Sequence, residues 1–265
     1  MSISDFGSIT HVLFISVFCY SLFVLAKKRP SGISDLTSHK TAFWFLILVI
    51  LLFPVMLYAD PQHNLKDHDT YIEILKEAIQ KRPQNTEAYY RLGVAYDEAG
   101  RYEEAIEAYK NVIKINPRDI YSSYNLGVAY GKLGRHKEAI EAYKNEININ
   151  PREPDAYFNM GIAYGKLEMH KEAAEAYEHV IKINPLDTDA LLNLGIAYGE
   201  SGMHEKAVET FKKVLERNPG AAGAHYNIAI SRLRLNDRES ALKEYEILKG
   251  LDPQIAGKLL TEINN

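Results

Sequence analysis

"NLGVAYGKLGRHKEAIEAYK" (Asn125–Lys144) decides the fold, because a near copy, "NMGIAYGKLEMHKEAAEAYE" (Asn159–Glu178), begins 34 residues later. Six prolines keep the same interval: Pro83, Pro117, Pro151, Pro185, Pro219 and Pro253. A fixed period of this length indicates an array of repeated structural units, each too small to bury a core alone.

Three further features keep the 34-residue register. A large residue and a glycine recur as a pair, a tyrosine follows three residues after each glycine, and an alanine is followed four residues later by an aromatic side chain. The pairs are Leu92-Gly93, Leu126-Gly127, Met160-Gly161 and Leu194-Gly195. The tyrosines are Tyr96, Tyr130, Tyr164 and Tyr198, and the alanines with their aromatics are Ala105/Tyr109, Ala139/Tyr143, Ala173/Tyr177, Ala207/Phe211 and Ala241/Tyr245.

Each unit is predicted to form two amphipathic helices. Apolar residues lie three or four positions apart over Leu126–Leu133 and again over Ala139–Ile147, and Gly134 separates the two stretches. Gly127 is expected where the two helices approach each other, and Tyr143 is expected to fill the space against the next unit. Asn-Pro ends the second helix, because the residue before proline is disfavoured in helical geometry. The predicted N-caps of the following helices are Asp119, Asp155 and Thr188.

These positions closely resemble the tetratricopeptide repeat (TPR) family, whose 34-residue unit carries Leu-Gly, Tyr, Ala-x3-Phe and a closing Pro. The resemblance implies an all-α solenoid of helix hairpins, with five units at residues 86–119, 120–153, 154–187, 188–221 and 222–255. Residues 60–85 are expected to form a linker and a partial repeat helix, and residues 256–265 a C-terminal cap helix. The fifth unit departs most from the pattern, since Ala229 replaces Gly and Arg232 replaces Tyr.

Residues 1–59 differ from the rest of the chain because they contain two uncharged apolar runs. One run is "HVLFISVFCYSLFVLA" (His11–Ala26), extended to residues 9–26, and the other is "AFWFLILVILLFPVMLYA" (Ala42–Ala59). Each is long enough for a helix that spans a bilayer. Trp44 and Tyr58 lie near the ends of the second run, where amphipathic rings favour the membrane interface. Two transmembrane helices in contact with lipid are therefore predicted before the repeats.

The loop between the runs, Lys27–Lys40, holds four basic residues and one acidic residue. The positive-inside rule assigns such a loop to the cytoplasm. The N-terminus and the repeats are then predicted on the non-cytoplasmic side, periplasmic or extracellular. Two alternatives stay open: the first run is an interfacial or cleaved segment, or the second run is a signal sequence cut after Ala59.

Charge and cysteine content argue against several functions. Residues 60–265 hold 27 basic and 33 acidic side chains without a basic block, so no nucleic-acid partner is expected. The single cysteine, Cys19, has no partner for an intramolecular disulfide. No Ser-His-Asp, Cys-His or paired-carboxylate arrangement stands out from the helix faces. We therefore predict no enzyme activity, no catalytic residue and no cofactor.

Gly127 and Gly131-Lys132 imitate a phosphate-binding loop without fitting one. That motif needs four residues between the first glycine and Gly-Lys, followed by Ser or Thr. Here three residues intervene and Leu133 follows. The stretch also lies within a predicted helix, whose backbone N–H groups are already used.

His136, His170 and His204 share one position of three successive units. Equivalent positions of stacked helices lie roughly 8–10 Å apart, too far to ligate one ion at about 2 Å. We interpret these histidines as turn-packing residues and "HNLKDHD" (His63–Asp69) as a solvated linker, and predict no metal site.

In the TPR family, the first helices of successive units line a concave groove that holds extended peptides or partner helices. Carried over position by position, this groove face has four rows here. The aromatic row is Tyr90, Tyr124, Phe158, Leu192 and Tyr226. The aliphatic row is Val94, Val128, Ile162, Ile196 and Ile230. The asparagine row is Asn125, Asn159, Asn193 and Asn227, with Arg91 at this place in the first unit, and the glycine row is Gly131, Gly165 and Gly199.

Two interpretations of the asparagine row stay open: hydrogen bonds to a bound peptide, or hydrogen bonds that hold neighbouring helices together. A glycine inside a helix costs about 1 kcal/mol relative to alanine, so the glycine row indicates close approach by a helix or a ligand. Family members that clamp a terminal carboxylate use Lys and Asn in the first unit. Tyr90 and Val94 occupy those places, so that ligand is not expected.

The sequence therefore predicts a membrane-anchored scaffold that binds a protein or peptide, for the assembly or organisation of a membrane or envelope complex. One alternative is a chaperone similar to the cytochrome c maturation subunit that holds apocytochrome. Another is a permanent structural subunit of a membrane complex.

Overall fold

The computed structural model describes residues 68–265. This part of the chain contains twelve α-helices joined by short turns, and no strand. The helices are α1 (His68–Lys81), α2 (Thr86–Glu98), α3 (Tyr102–Ile115), α4 (Ile120–Lys132), α5 (His136–Ile149), α6 (Pro154–Lys166), α7 (His170–Ile183), α8 (Thr188–Glu200), α9 (His204–Arg217), α10 (Ala222–Arg234), α11 (Arg238–Leu251) and α12 (Pro253–Asn264).

The helices pair into five hairpins with the predicted period: α2–α3, α4–α5, α6–α7, α8–α9 and α10–α11. Each first helix packs against its own second helix and against the second helix of the preceding unit. In place of a preceding second helix, α1 packs against α2, and α12 contacts α10 and α11 at the other end. The prediction of an all-α repeat solenoid is confirmed.

A residue with left-handed backbone geometry ends each first helix. In units 1, 2 and 4 it is Gly100, Gly134 or Gly202, with φ between 71° and 80°. In units 3 and 5 the same turn is made by Glu168 and Asn236, with φ of 60° and 59°. The second helix begins two residues later in every unit. The predicted break at Gly134 is correct, and the turn forms without glycine in two units despite the strain that a Cβ adds there.

The recurring glycine and aromatic positions make the contact between the two helices of one unit. A Cβ built on Gly161 would lie 2.7 Å from the ring of Tyr177, which is closer than non-bonded carbon atoms approach. The same contact joins Gly93 to Tyr109, Gly127 to Tyr143 and Gly195 to Phe211. The ring of Tyr143 thus lies against Gly127 of its own unit, and it belongs to the same core cluster as Ala156 of the next unit.

Polar residues hold the N-cap positions of the first helices in units 1 to 4, whereas Ala221 holds that position in unit 5. Asp119 caps α4 as predicted, because its side chain accepts a hydrogen bond from a backbone N–H of the first turn. The caps predicted at Asp155 and Thr188 are wrong, since Glu153 and Asp187 hold the N-cap positions of α6 and α8. The errors amount to one or two residues, because several polar side chains follow Asn150-Pro151 and Asn184-Pro185.

The predicted membrane segments, residues 9–26 and 42–59, and the basic loop between them lie outside the described residues. The linker up to residue 67 lies outside them as well. Within residues 68–265, no helix has both the length and the apolar character needed to cross a bilayer.

Candidate functional site

The first helices α2, α4, α6, α8 and α10 carry the four rows of the groove face. In the aromatic row, Tyr90, Tyr124 and Phe158 are half-buried, and their ring centroids lie between 5.6 and 6.1 Å from the core aromatic ring of the same unit. In the aliphatic row, Ile162 and Ile196 are 40% and 45% exposed. The rows are therefore fixed to the core on one side, while large apolar side chains face away from it on the other.

The asparagine row divides into two pairs. Asn125 donates a hydrogen bond to the hydroxyl of Tyr90 at 3.3 Å, and Asn159 donates to the hydroxyl of Tyr124 at 2.9 Å. Both bonds join the first helices of neighbouring units. In this half of the array the asparagines hold neighbouring helices together, as one of the two interpretations proposed.

The other two asparagines make no bond between units. Asn193 and Asn227 each donate to the backbone carbonyl four residues earlier in their own helix. In the preceding unit, the aromatic-row residue is Phe158 for Asn193 and Leu192 for Asn227. Neither side chain has a hydroxyl that could accept a hydrogen bond. These two amides keep an oxygen and a second N–H for a ligand.

The glycine row is not required by packing within the described residues. No heavy atom outside the helix backbone lies within 4 Å of a Cβ built on Gly131, Gly165 or Gly199. No other helix within residues 68–265 approaches these glycines, and close approach by a partner helix or another ligand stays a hypothesis. Arg91 also departs from its row, since it pairs with Glu87 of its own helix.

Two glycines of α6 provide a matched pair of substitutions. Gly161→Ala is expected to lower the free energy of unfolding by about 1–3 kcal/mol, because the new methyl group overlaps the buried ring of Tyr177. Gly165→Ala is expected to raise it by less than about 1 kcal/mol, because the methyl group meets open space and alanine favours the helix, of which Gly165 is in the last turn. Urea denaturation followed by circular dichroism measures both, and equal effects of the two substitutions would contradict the assignment of the two glycine positions.

The three histidines of the proposed turn position each begin a second helix, α5, α7 or α9, and are half-buried. Within residues 68–265, no group of three or more His, Cys, Asp or Glu side chains is arranged to hold a metal ion.

One buried residue was not singled out by the sequence reasoning. Glu146 on α5 is only 4% exposed, and its Oε2 atom has no hydrogen-bond partner within the described residues. Burial, followed by the charges of Glu153 and Asp155, raises the pKa of this carboxyl to about 7. Alignment of the repeats indicates that this position is buried, because the other four second helices have an apolar residue there. These residues are Val112, Val180, Val214 and Leu248.

The charge of Glu146 acts on Tyr124, a residue of the groove face. Burial raises the pKa of Tyr124, and the charges of Asp155, Glu146 and Glu153 raise it further, whereas the hydrogen bond from Asn159 lowers it. The charges of three carboxylates around the boundary of units 2 and 3 therefore act on one side chain of the aromatic row.

The fold and the groove face define the class of the protein as an α-helical repeat solenoid. Models described as tetratricopeptide repeat match residues 86–119, 154–186 and 188–220, and residues 108–141, and a model described as TPR repeat matches residues 132–168. Together they cover half of the chain. The chain belongs to the tetratricopeptide repeat family, and the predicted family is thereby confirmed.

Solved structures agree with this fold. The structure described as "YrrB: a TPR protein with an unusual peptide-binding site" superposes with a TM-score of 0.64 at 22% identity, over 72% of this chain and 99% of that one. A structure of MamA gives 0.60 at 27% identity, over 65% and 94%. MamA from Desulfovibrio magneticus RS-1 gives 0.57 at 22%, over 64% and 96%. A search of curated protein sequences finds no match.

Proposed function

We propose that this chain is a membrane-anchored TPR scaffold whose groove face binds a protein or peptide partner. The observation that carries the proposal is the glycine row, Gly131, Gly165 and Gly199, where the last turn of three first helices has glycine although nothing in the described residues approaches it. Glycine costs about 1 kcal/mol relative to alanine in a helix interior and less in the last turn. A partner backbone or side chain that packs closely on the row accounts for that cost.

The other rows supply the contacts that such a partner needs. Ile162 and Ile196 offer exposed apolar surface beside the glycines. Asn193 and Asn227 offer amide groups that make no bond between units. Apolar contacts and a few placed hydrogen bonds are the usual means of peptide recognition, and the mechanism needs no covalent chemistry. The peptide-binding site named for YrrB supports this role by analogy.

The two halves of the asparagine row allow a discriminating test. Asn193→Ala is expected to weaken capture of the partner and to change the free energy of unfolding by less than about 0.5 kcal/mol, since its only bond is within its own helix. Asn159→Ala is expected to lower the free energy of unfolding by about 1 kcal/mol, since it removes the bond to Tyr124.

The measurement combines affinity capture from detergent-solubilised native membranes with urea denaturation of the same variants. Glu175→Gln, an exposed change on α7 outside the groove face, serves as the control for capture. If the Asn193→Ala and Ile196→Asp variants both capture as much partner protein as the unchanged chain, the partner does not bind in the groove.

The membrane anchor is part of the proposal. The apolar runs at residues 9–26 and 42–59 support two transmembrane helices, and the basic loop Lys27–Lys40 supports a non-cytoplasmic position for the repeats. Protease added to cells with a permeabilised outer envelope and an intact cytoplasmic membrane is then expected to digest the repeats, and their protection would reverse the orientation.

The role proposed for the scaffold is assembly or organisation of a membrane or envelope complex. A transient assembly factor releases its client, whereas a permanent subunit keeps it. The stoichiometry of the captured partner after purification in detergent separates the two, because only a permanent subunit retains its partner in a fixed ratio.

A further inference from the structure

Unit 2 differs from the other units at two buried positions. Glu146 replaces the apolar residue of the other second helices, and Ser122 replaces an alanine that the other first helices share, namely Ala88, Ala156, Ala190 and Ala224. Glu146 is 4% exposed and Ser122 is fully buried. Oε2 of Glu146 and Oγ of Ser122 both lack a hydrogen-bond partner within residues 68–265. Buried polar groups without partners are rare, because each costs the fold its lost hydration.

The surroundings of Glu146 are acidic. Glu153 is the N-cap residue of α6 and Asp155 lies in its first turn, and the charges of both act on the Glu146 carboxyl. No lysine, arginine or histidine of the described residues forms an ion pair with any of the three. The charges of Glu153 and Asp155 therefore act on Glu146, and no ion pair of residues 68–265 joins any of the three to a basic side chain.

The repeat register places the cluster beside Tyr124 of the groove face. Asn159 already occupies one lone pair of the Tyr124 hydroxyl. Where units 1 and 2 meet, one repeat before the cluster, there is a cleft of about 320 Å³. It is lined by Thr86, Glu87, Tyr90, Val112, Asp119 and Tyr121. Val112 has the repeat position of Glu146, Asp119 that of Glu153 and Tyr121 that of Asp155. The equivalent position between units 2 and 3 thus carries three carboxylates, those of Glu146, Glu153 and Asp155.

We propose that Glu146, Glu153 and Asp155 form an anionic subsite of the groove face that takes a lysine or arginine side chain of the bound partner. The proposal rests on the function proposed above and names the chemistry of the partner. A divalent ion does not suit the cluster, because these carboxylates are not arranged as a metal site. A guanidinium or ammonium group carries several donors on a long stem and reaches carboxylates that do not converge on one point.

Charge outside the cluster favours the same partner. Residues 60–265 carry six more acidic than basic side chains, so a basic segment is attracted to the repeats before it docks. Contact of a cation with Glu146 also favours the ionised carboxylate. Binding below pH 7 is therefore expected to release a proton, because the carboxyl is partly protonated there before the cation arrives.

The test uses the full chain in detergent micelles and a random decapeptide library. Selected peptides are synthesised with acetylated and amidated ends, and each lysine or arginine is replaced in turn by norleucine or citrulline. We expect one basic position to matter, with about a tenfold or greater loss of affinity on replacement, since a charge-assisted contact is lost. Glu146→Val and Asp155→Asn are expected to weaken binding of the parent peptide and to leave the neutral peptide unchanged.

Two controls make each result decisive. Glu175→Gln changes the net charge by the same amount away from the cluster, and Ile196→Asp disrupts the groove face. Peptides that need Ile196 but are insensitive to their basic residues and to Glu146→Val would overturn the subsite and leave the proposed function standing. Selected peptides that bind independently of Ile196 would overturn the proposed function, and the subsite with it.

Discussion

Tyr177→Ala is expected to lower the free energy of unfolding by about 3–5 kcal/mol, the usual cost of removing a large aromatic side chain from a core. The ring is 4% exposed and lies on Gly161, with the ring of Phe158 at a centroid distance of 5.6 Å. Since Gly161 has no side chain to fill the vacated space, the cavity stays open and the cost is close to the upper end of the range.

The measurement is urea denaturation of the full chain in detergent, followed by circular dichroism at the helix minimum. Tyr121→Ala removes the same side chain from a position that is 67% exposed, and we expect its effect to be below about 0.5 kcal/mol. A loss of less than about 1 kcal/mol for Tyr177→Ala would show that the aromatic position does not hold the hairpin together.

Glu146→Val is expected to stabilise the protein, and more so at high pH. Burial, with the charges of Glu153 and Asp155, raises the pKa of Glu146 from 4.5 to about 7. When the pKa of a carboxyl is higher in the folded state than in the unfolded state, the carboxyl does not destabilise the fold at a pH below the unfolded-state pKa. Its destabilising effect grows as the pH rises from the unfolded-state pKa to the folded-state pKa. Above pH 7 the penalty reaches about 3 kcal/mol, at 1.36 kcal/mol for each pKa unit.

The gain in the free energy of unfolding is therefore expected to be about 3 kcal/mol larger at pH 8 than at pH 4. Glu146→Gln removes the same charge but keeps a buried polar group, so its gain is expected to be smaller and equally pH-dependent. Glu175→Gln, an exposed change, is expected to show neither effect. A Glu146→Val gain that is equal at both pH values would contradict the ionisation of a buried carboxyl.

The repeat pattern was sufficient to predict the architecture. Gly161 and Tyr177 lie 16 residues apart in the chain, and the same spacing recurs in three other units, so a local rule fixes each helix contact. Contacts in a repeat array lie within one unit or between neighbours. The period therefore predicts most of the core, including Leu126 and Ala139, without knowledge of distant pairings.

The candidate site was less predictable because its hydrogen bonds depend on which side chains neighbouring units bring together. Asn159 and Asn193 occupy the same repeat position, yet only the first meets a tyrosine hydroxyl from the preceding unit. The glycine row was recognised as unusual, but sequence alone did not separate approach by a helix from approach by a ligand. Glu146 was missed because surface glutamates are frequent in these helices and only alignment of the units shows an apolar position there.

The most direct test of the central claim, that the groove face holds the partner, is site-specific crosslinking in the native cells. A photo-reactive benzoylphenylalanine is placed at Ile196 on the groove face, or at Glu175 on the exposed surface of α7. The account predicts one discrete crosslinked protein from Ile196 that is absent from Glu175. Crosslinks from Glu175 alone, or the same products from both positions, would contradict it.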